Sequence, residues 1–409
     1  MNHSPRFKLF LMMVLELFVW GAWLPLVWDY MGGLGFSSNQ IALVGSAFAI
    51  ASLVGIFFSN QFADRNFASE KFMAFSHLIG GLAMLGLFWV KDFGPFFALM
   101  LVHSLFYVPT MSVANSLAFA NLKDPQKEFG LVRMGGTVGW ILASWPLYFI
   151  LKGQSGAGLQ TARSYIFIVA GVASLALAAF SLTLPHTPPK PAAKESHRFA
   201  WLESMRLLAL PYLLVLFIVT FIDATIHNGY FVMAGTYLGK IGIKPEDIMP
   251  IMSIGQIAEI LTMAVLGNFL KRFGWRMTMI LGVLGHAARF SIFAFFPNSP
   301  AIIIAVQLLH GVAYAFFFAT LYIFIDAAFP KDVRASAQGL FNLLVLGLGD
   351  LSAKWIFIPL QGALTHDGVT DYQKLFLVPT GLALLAAVLL AVFFHPPKNV
   401  EAAGESAAG

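Results

Sequence analysis

Long apolar runs alternate with short polar connections along the whole chain. Twelve runs can be marked: Leu9–Met31, Ile41–Phe62, Phe72–Val90, Phe96–Ala118, Leu131–Leu151 and Ile166–Leu184, then Tyr212–Leu238, Met249–Leu270, Met277–Phe296, Ala301–Phe329, Ala335–Leu360 and Phe376–Phe394. A helix needs about 20 apolar residues to cross a hydrocarbon layer of roughly 30 Å, so each run predicts one membrane-spanning helix. The opening MNHSPRFK leads into the first run with no small-residue cleavage site, which predicts a retained span rather than a removable signal.

One connection is long. LPHTPPKPAAKESHRFAWLESMR, between the sixth and seventh runs, mixes a proline cluster with both signs of charge and predicts a surface linker. The expected domains are therefore a six-helix half over 1–184, a linker over 185–208, a second six-helix half over 209–396 and a disordered tail over 397–409.

Composition agrees with this pattern and narrows the function. Of 409 residues, 58% are apolar and only 11% charged, where a soluble protein has about a quarter charged. The fold class is an all-α membrane protein. Having no cysteine, the chain can hold no disulfide framework, thiolate metal site or cysteine nucleophile. It also lacks HExxH, GxSxG and phosphate-loop motifs, so no metal, no cofactor, no enzyme activity and no ATP-driven step are expected.

Lysine and arginine orient the spans. The N-terminus, the even-numbered connections and the C-terminus hold 17, and the opposite side holds 6. The positive-inside rule then puts both termini and the linker in the cytoplasm. The remaining two, Arg289 and Lys354, fall inside runs.

Several polar side chains also lie within apolar runs. Gln256 and Glu259 share one helical face of the eighth, and an intramembrane carboxylate marks a functional site by default because it is costly to bury. The seventh contains Asp223, Thr225, His227, Asn228 and Tyr230, with Asp223 and His227 spaced to pair with each other. Three further sets read as structural: Asp350 with Lys354, His286 with Arg289 in the ninth run, and Glu16 in the first.

The two halves echo each other. Arg133 at the start of the fifth run matches Arg334 before the eleventh, 201 residues on, and NQFADRNFASEK corresponds to GNFLKRFGWR. Two six-helix repeats around a midplane site describe the major facilitator architecture. GNFLKRFGWR resembles that superfamily's inter-helix signature, with Lys271 where an Asp is usual. The first copy keeps Asp64 and Arg65 but has Asn60 at the expected Gly. These residues read as pins for cytoplasmic helix ends.

Narrower motifs carry a closer resemblance. YVPT (Tyr107 to Thr110), VRMGGTVGW (Val132 to Trp140), LPHTP (Leu184 to Pro188), GQIAE (Gly255 to Glu259) and VRASAQG (Val333 to Gly339) resemble, in order and spacing, the bacterial nucleoside:proton symporters. The resemblance implies twelve helices in the inner membrane and nucleoside import by alternating access, coupled to protons. The partners expected are a nucleoside, protons and the lipid bilayer, with no nucleic acid, for a chain acting as a monomer.

By the same resemblance, Arg133, Thr137 and Trp140 line the sugar–base pocket. They occur at i, i+4 and i+7, on one helical face. Arg133 could donate to a hydroxyl or carbonyl, Thr137 could donate or accept, and Trp140 could stack on a base. Alternatively, Arg133 caps a helix end and Trp140 anchors the membrane interface. Gln256 and Glu259 fall on the family's polar pair, Asn228 on an amide position and Tyr314 on an aromatic of the tenth span. Ala315 stands where relatives carry the coupling Asp. Either this chain does not couple through that helix, or the residue has been substituted. The other proton-coupling candidates are Glu259, Asp223, His227 and His310. Transport of another polar solute such as a sugar or glycoside, and a non-transporting membrane sensor, are the alternative readings.

Overall fold

Proline, glycine and short capping side chains decide where these helices begin, bend and end. The computed structural model describes residues 5–55, 66–189, 206–329 and 334–396. Among them, the first half supplies α1 (Arg6–Gly33), α2 (Ser38–Val54), α3 (Ser69–Leu87), α4 (Phe93–Asn121), α5 (Pro125–Leu151) and α6 (Gly156–Ser181). The second supplies α7 (Pro211–Lys240), then a run over Ile248–Phe295 that breaks at Gly274 (φ 71°, ψ 177°) into α8 (248–273) and α9 (275–295). It ends with α10 (Pro300–Ala328), α11 (334–363) and α12 (Tyr372–Phe393). The positive φ at Gly274 falls in the GNFLKRFGWR signature, where a side chain would be strained. Asn60, Asp64, Arg65, Val333, most of the expected linker (190–205) and the tail (397–409) lie outside the described residues.

Local chemistry accounts for the boundaries. Ser37 and Gln40 form a reciprocal capping box at the start of α2. Asp124 accepts from the Lys127 amide with Pro125 at the first helical position of α5, and Asp371 caps α12 in the same way. Asp367 and Gly368, both at positive φ, close a small hairpin between α11 and α12.

Two compact bodies are distinguished, one comprising Met1–Ala192 with Phe231–Ser253 and the other Ala193–Tyr230 with Ile254–Gly409. In the first, α5 packs on α1 through two glycines one turn apart. A Cβ on Gly139 would overlap the Val14 carbonyl, and one on Gly135 would lie 2.6 Å from the Phe10 oxygen. The glycines of VRMGGTVGW thus bring two backbones together. The LPHTP segment also belongs to this body. Glu70, in the first turn of α3, bonds His186 at 2.7 Å and accepts the Thr187 amide at 3.0 Å, so the first residues after α6 are tied down rather than free linker.

In the second body the close approach is between α8 and α10. A Cβ on Gly311 would overlap the backbone of Ala258 and Glu259, and one on Gly255 would sit 2.8 Å from the His310 Cβ. This crossing places His310 beside the GQIAE stretch. Both α10 and α11 contain a π-helical turn, at Tyr314–Ala319 and Leu343–Leu348, a distortion that often marks functional sites.

Candidate functional site

Each body carries its own set of polar and aromatic side chains. In the first, the glycine seam of α5 faces α1, and Arg133 and Thr137 are half-buried on α5. Trp140 packs edge-on to Trp20 at 5.5 Å and to Phe231 at 5.4 Å, and Trp20 stacks on Phe48 at 4.7 Å. The result is an aromatic wall within an α-helical body, of a kind that suits a planar ring.

Next to it is a fully buried polar cluster around Glu16. One carboxylate oxygen meets His77 Nε2 at 2.9 Å and the other accepts from Thr110 at 2.7 Å, while Tyr107 donates to the Glu16 backbone carbonyl at 2.6 Å. On the far side of the ring, His77 Nδ1 lies 3.1 Å from Ser174 Oγ, whose hydroxyl donates to the His77 carbonyl at 2.9 Å. Ser174 has one proton to give, so Nδ1 must be the donor in that contact. Thr110 Oγ1 also lies 2.5 Å from the Tyr107 carbonyl, so its one proton serves either that oxygen or Glu16, and each polar group named here has a neighbour within hydrogen-bond distance.

In the second body the centre is Arg289, wholly buried on α9. Its guanidinium reaches His310 Nδ1 at 2.8 Å and His286 Nδ1 at 3.0 Å, and it lies over the Tyr230 ring at 4.0 Å. Tyr230 in turn donates to Gln307 at 2.7 Å. Arginine has only donors, so both histidines must accept at Nδ1, and each neutral ring carries its proton on Nε2. His286 Nε2 then points at Asp223 Oδ2, 3.7 Å away, and His310 Nε2 points at the Gln256 amide, 3.4 Å away. A proton on His310 Nε2 calls for an acceptor, so the Gln256 amide is oriented with its oxygen toward His310 and its NH2 turned away.

The remaining sequence candidates fall around this centre. His227 stacks on His310 at 4.9 Å and lies 5.8 Å from the Tyr314 ring. Glu259 is half-buried one turn beyond Gln256. Asn228 uses its amide nitrogen on the Ala224 and Val345 carbonyls, at 2.9 and 3.0 Å, and so ties α7 to the π turn of α11. Lys354 and Asp350 pair with each other in α11, as their spacing predicts.

Three expectations change. Asp223 does not hydrogen-bond His227; its carboxylate oxygens have no hydrogen-bond partner among the described residues, and its nearest ionisable neighbour is His286. His286 and Arg289 are not a separate structural pair, because α9 turns both into the cluster with His310. Ala315, fully buried, packs with Leu266, Phe316 and Ala319 in an apolar seam, away from the face that carries Tyr314. The importance of Arg289 had one signal in the sequence: LVHSLFY (Leu101 to Tyr107) and LLHGVAY (Leu308 to Tyr314) repeat a His and a Tyr one turn apart, which marks His310 and therefore whatever contacts it.

Comparison with known proteins gives a consistent result. The Escherichia coli protein YegT is 34% identical over 96% of this chain and 94% of its own length, and the E. coli xanthosine permease is 28% identical over 97% and 98%. A crystal structure of a mutant form of the nucleoside transporter NupG superimposes with a TM-score of 0.85, at 24% identity, over 96% of this chain and all of that one, and so shares the major facilitator fold. Residues 2–399 match the family described as nucleoside H+ symporter. This multi-pass membrane transporter chain belongs to the nucleoside H+ symporter family.

Proposed function

We propose that this chain imports nucleosides across the bacterial inner membrane by alternating access, driven by protons, with both termini cytoplasmic, as a monomer and with no enzymatic step. The observation that carries the reading is the family match over residues 2–399, which includes every intramembrane polar residue singled out above. The side chains supply suitable chemistry. Trp140 offers a face for the base, and Arg133 and Thr137 donate to ring or sugar oxygens. The NH2 of Gln256 donates to a base carbonyl, and Glu259 accepts from the ribose hydroxyls. Tyr314 adds a second aromatic. Asn228, its nitrogen already committed, offers only its carbonyl oxygen.

Purified protein reconstituted in liposomes tests this, with radiolabelled uridine, adenosine and xanthosine against xylose and lactose. Uptake of at least one nucleoside, with thermal stabilisation by the same compound, is the expected result. Stabilisation and flux with a sugar but with no nucleoside would overturn the reading.

A further inference from the structure

Four residues of the second body repeat residues of the first. Glu16 and Asp223, His103 and His310, and Tyr107 and Tyr314 are each 207 residues apart, and His77 and His286 are 209 apart. Each body therefore has a carboxylate on its first helix, a histidine on its third, and a histidine and a tyrosine one turn apart on its fourth.

The two sets are wired differently. Around Glu16 both carboxylate oxygens and both ring nitrogens of His77 have a hydrogen-bonding neighbour, and the atom left without one among the described residues is His103 Nε2 rather than a carboxylate oxygen. Around Asp223 the network is open. The carboxylate is fully buried, His286 stands 3.7 Å off, and neither oxygen has a hydrogen-bond partner among the described residues. A buried carboxylate is normally satisfied, so one left with vacant acceptor positions is an exception that asks for a cause.

We propose that Asp223 takes up and releases the transported proton, and that His286, Arg289 and His310 pass its protonation state to Gln256. This rests on the proton-coupled nucleoside reading above. The imidazoles are poor carriers here, because each Nδ1 already receives a hydrogen bond from Arg289. A second proton on either ring would break that bond and set two cations about 3 Å apart, which the buried site disfavours. Ala315 has no acceptor to offer. The Asp223 carboxylate does, and taking a proton converts it to a neutral carboxyl with an O–H to donate.

The consequence reaches Gln256 through shared partners. While ionised, Asp223 balances the charge of Arg289 and attracts the His286 Nε2–H. Once protonated it does neither, and the guanidinium that holds both histidines loses a counter-charge. His310 moves with it, and His310 orients the Gln256 amide. The other charged and titratable groups around this stretch are His227 and Tyr230 on α7, Glu259 on α8, Tyr314 on α10 and the Asp350–Lys354 pair of α11, which packs on α7 where Gly349 meets Ala224. Asp350 already has Lys354, Glu259 is engaged by the ribose hydroxyls in the reading above, and a proton on His227, stacked on the His310 ring that Arg289 holds, would add a second cation to the same buried cluster, which leaves the proton to Asp223.

The test compares wild type with Asp223→Asn in proteoliposomes, measuring uridine accumulation under an inward proton gradient and uridine exchange without a gradient. Wild type should accumulate uridine and lose the accumulation with a protonophore. Asp223→Asn should still exchange, but equilibrate rather than accumulate. Protonophore-sensitive accumulation by Asp223→Asn overturns the inference and leaves the transport reading intact. Absence of nucleoside flux in the wild type overturns both. If Asp223→Asn does not fold, Asp223→Glu keeps the carboxyl and moves it by one methylene. It should retain accumulation with the half-maximal pH displaced by roughly half a unit or more, and an unchanged pH profile counts against Asp223.

Discussion

Arg289 donates to His310 across 2.8 Å, and the same guanidinium donates to His286 at 3.0 Å. One buried cation thereby fixes the tautomer of two histidines on two helices. The planar fork of an arginine can serve two rings at once, whereas a lysine ammonium is a point charge on a flexible stem. Arg289→Lys should keep the charge but lose at least one of the two bonds, at a cost of about 1–3 kcal/mol. Thermal unfolding in detergent should show the loss, and nucleoside affinity should fall with it because Gln256 is no longer oriented. An unchanged melting temperature and affinity would mean that the two contacts do not hold the cluster.

Glu259 is placed one turn from Gln256 on the face proposed to read the sugar. If its carboxylate accepts from the two ribose hydroxyls, Glu259→Gln should weaken a ribonucleoside by about 1.5–3 kcal/mol, roughly tenfold to a hundredfold in affinity. A 2′,3′-dideoxynucleoside has no diol to lose and should bind the two proteins alike. Calorimetry with both ligands decides the matter; equal losses would assign Glu259 some other partner.

Which parts of this were legible in the sequence follows from the physics of each signal. The helices were, because a span must be apolar over its whole length wherever it packs, and the breaks at Pro125, Gly274 and Asp371 are chemical. Gln256 and Glu259 were legible because a polar side chain in such a run stands out. The direction in which a polar side chain points was not. Asp223 is spaced to pair with His227 on its own helix, yet α9 presents His286 to it, and spacing along one helix says nothing about a neighbour. Arg289 with His286 reads as a structural pair for the same reason. Ala315 was assigned by register with an aromatic, and the π turn at Tyr314–Ala319 alters how successive residues of α10 face their neighbours.

That placement of Ala315 gives a third prediction. Its side chain is sealed among Leu266, Phe316 and Ala319, with Phe269 and Leu281 beyond. Ala315→Asp would put a carboxyl among apolar side chains, with the nearby Thr320 hydroxyl directed at the Ala315 backbone carbonyl. It should therefore destabilise the protein by about 3 kcal/mol or more, and it should not add a gradient-driven component to uptake. Thermal unfolding and a protonophore comparison on the variant check both parts. A stable variant with newly proton-dependent uptake would restore Ala315 as the coupling position.

The last prediction concerns the segment that follows α6 in the first body, where Glu70 holds LPHTP against α3. Burial pushes the Glu70 carboxyl up, but the Thr187 amide and His186 that bond it prevail, and it stays below its ordinary value of 4.5. A carboxylate whose folded value is depressed contributes stability that is complete above the unfolded value. That stability is lost as pH falls through the lower folded value. Glu70→Gln should consequently cost about 1–3 kcal/mol at neutral pH, because a charged acceptor is replaced by a neutral amide that cannot serve both donors. The gap between the two proteins should narrow as the solution is acidified below the carboxylate range, since protonated Glu70 is itself neutral. Melting temperatures of wild type and Glu70→Gln from about pH 7 down to about pH 3.5 measure that gap directly. A gap of the same size at both ends would show that the charge on Glu70 is not what holds the segment, and that the packing of Pro185 and Thr187 alone does so.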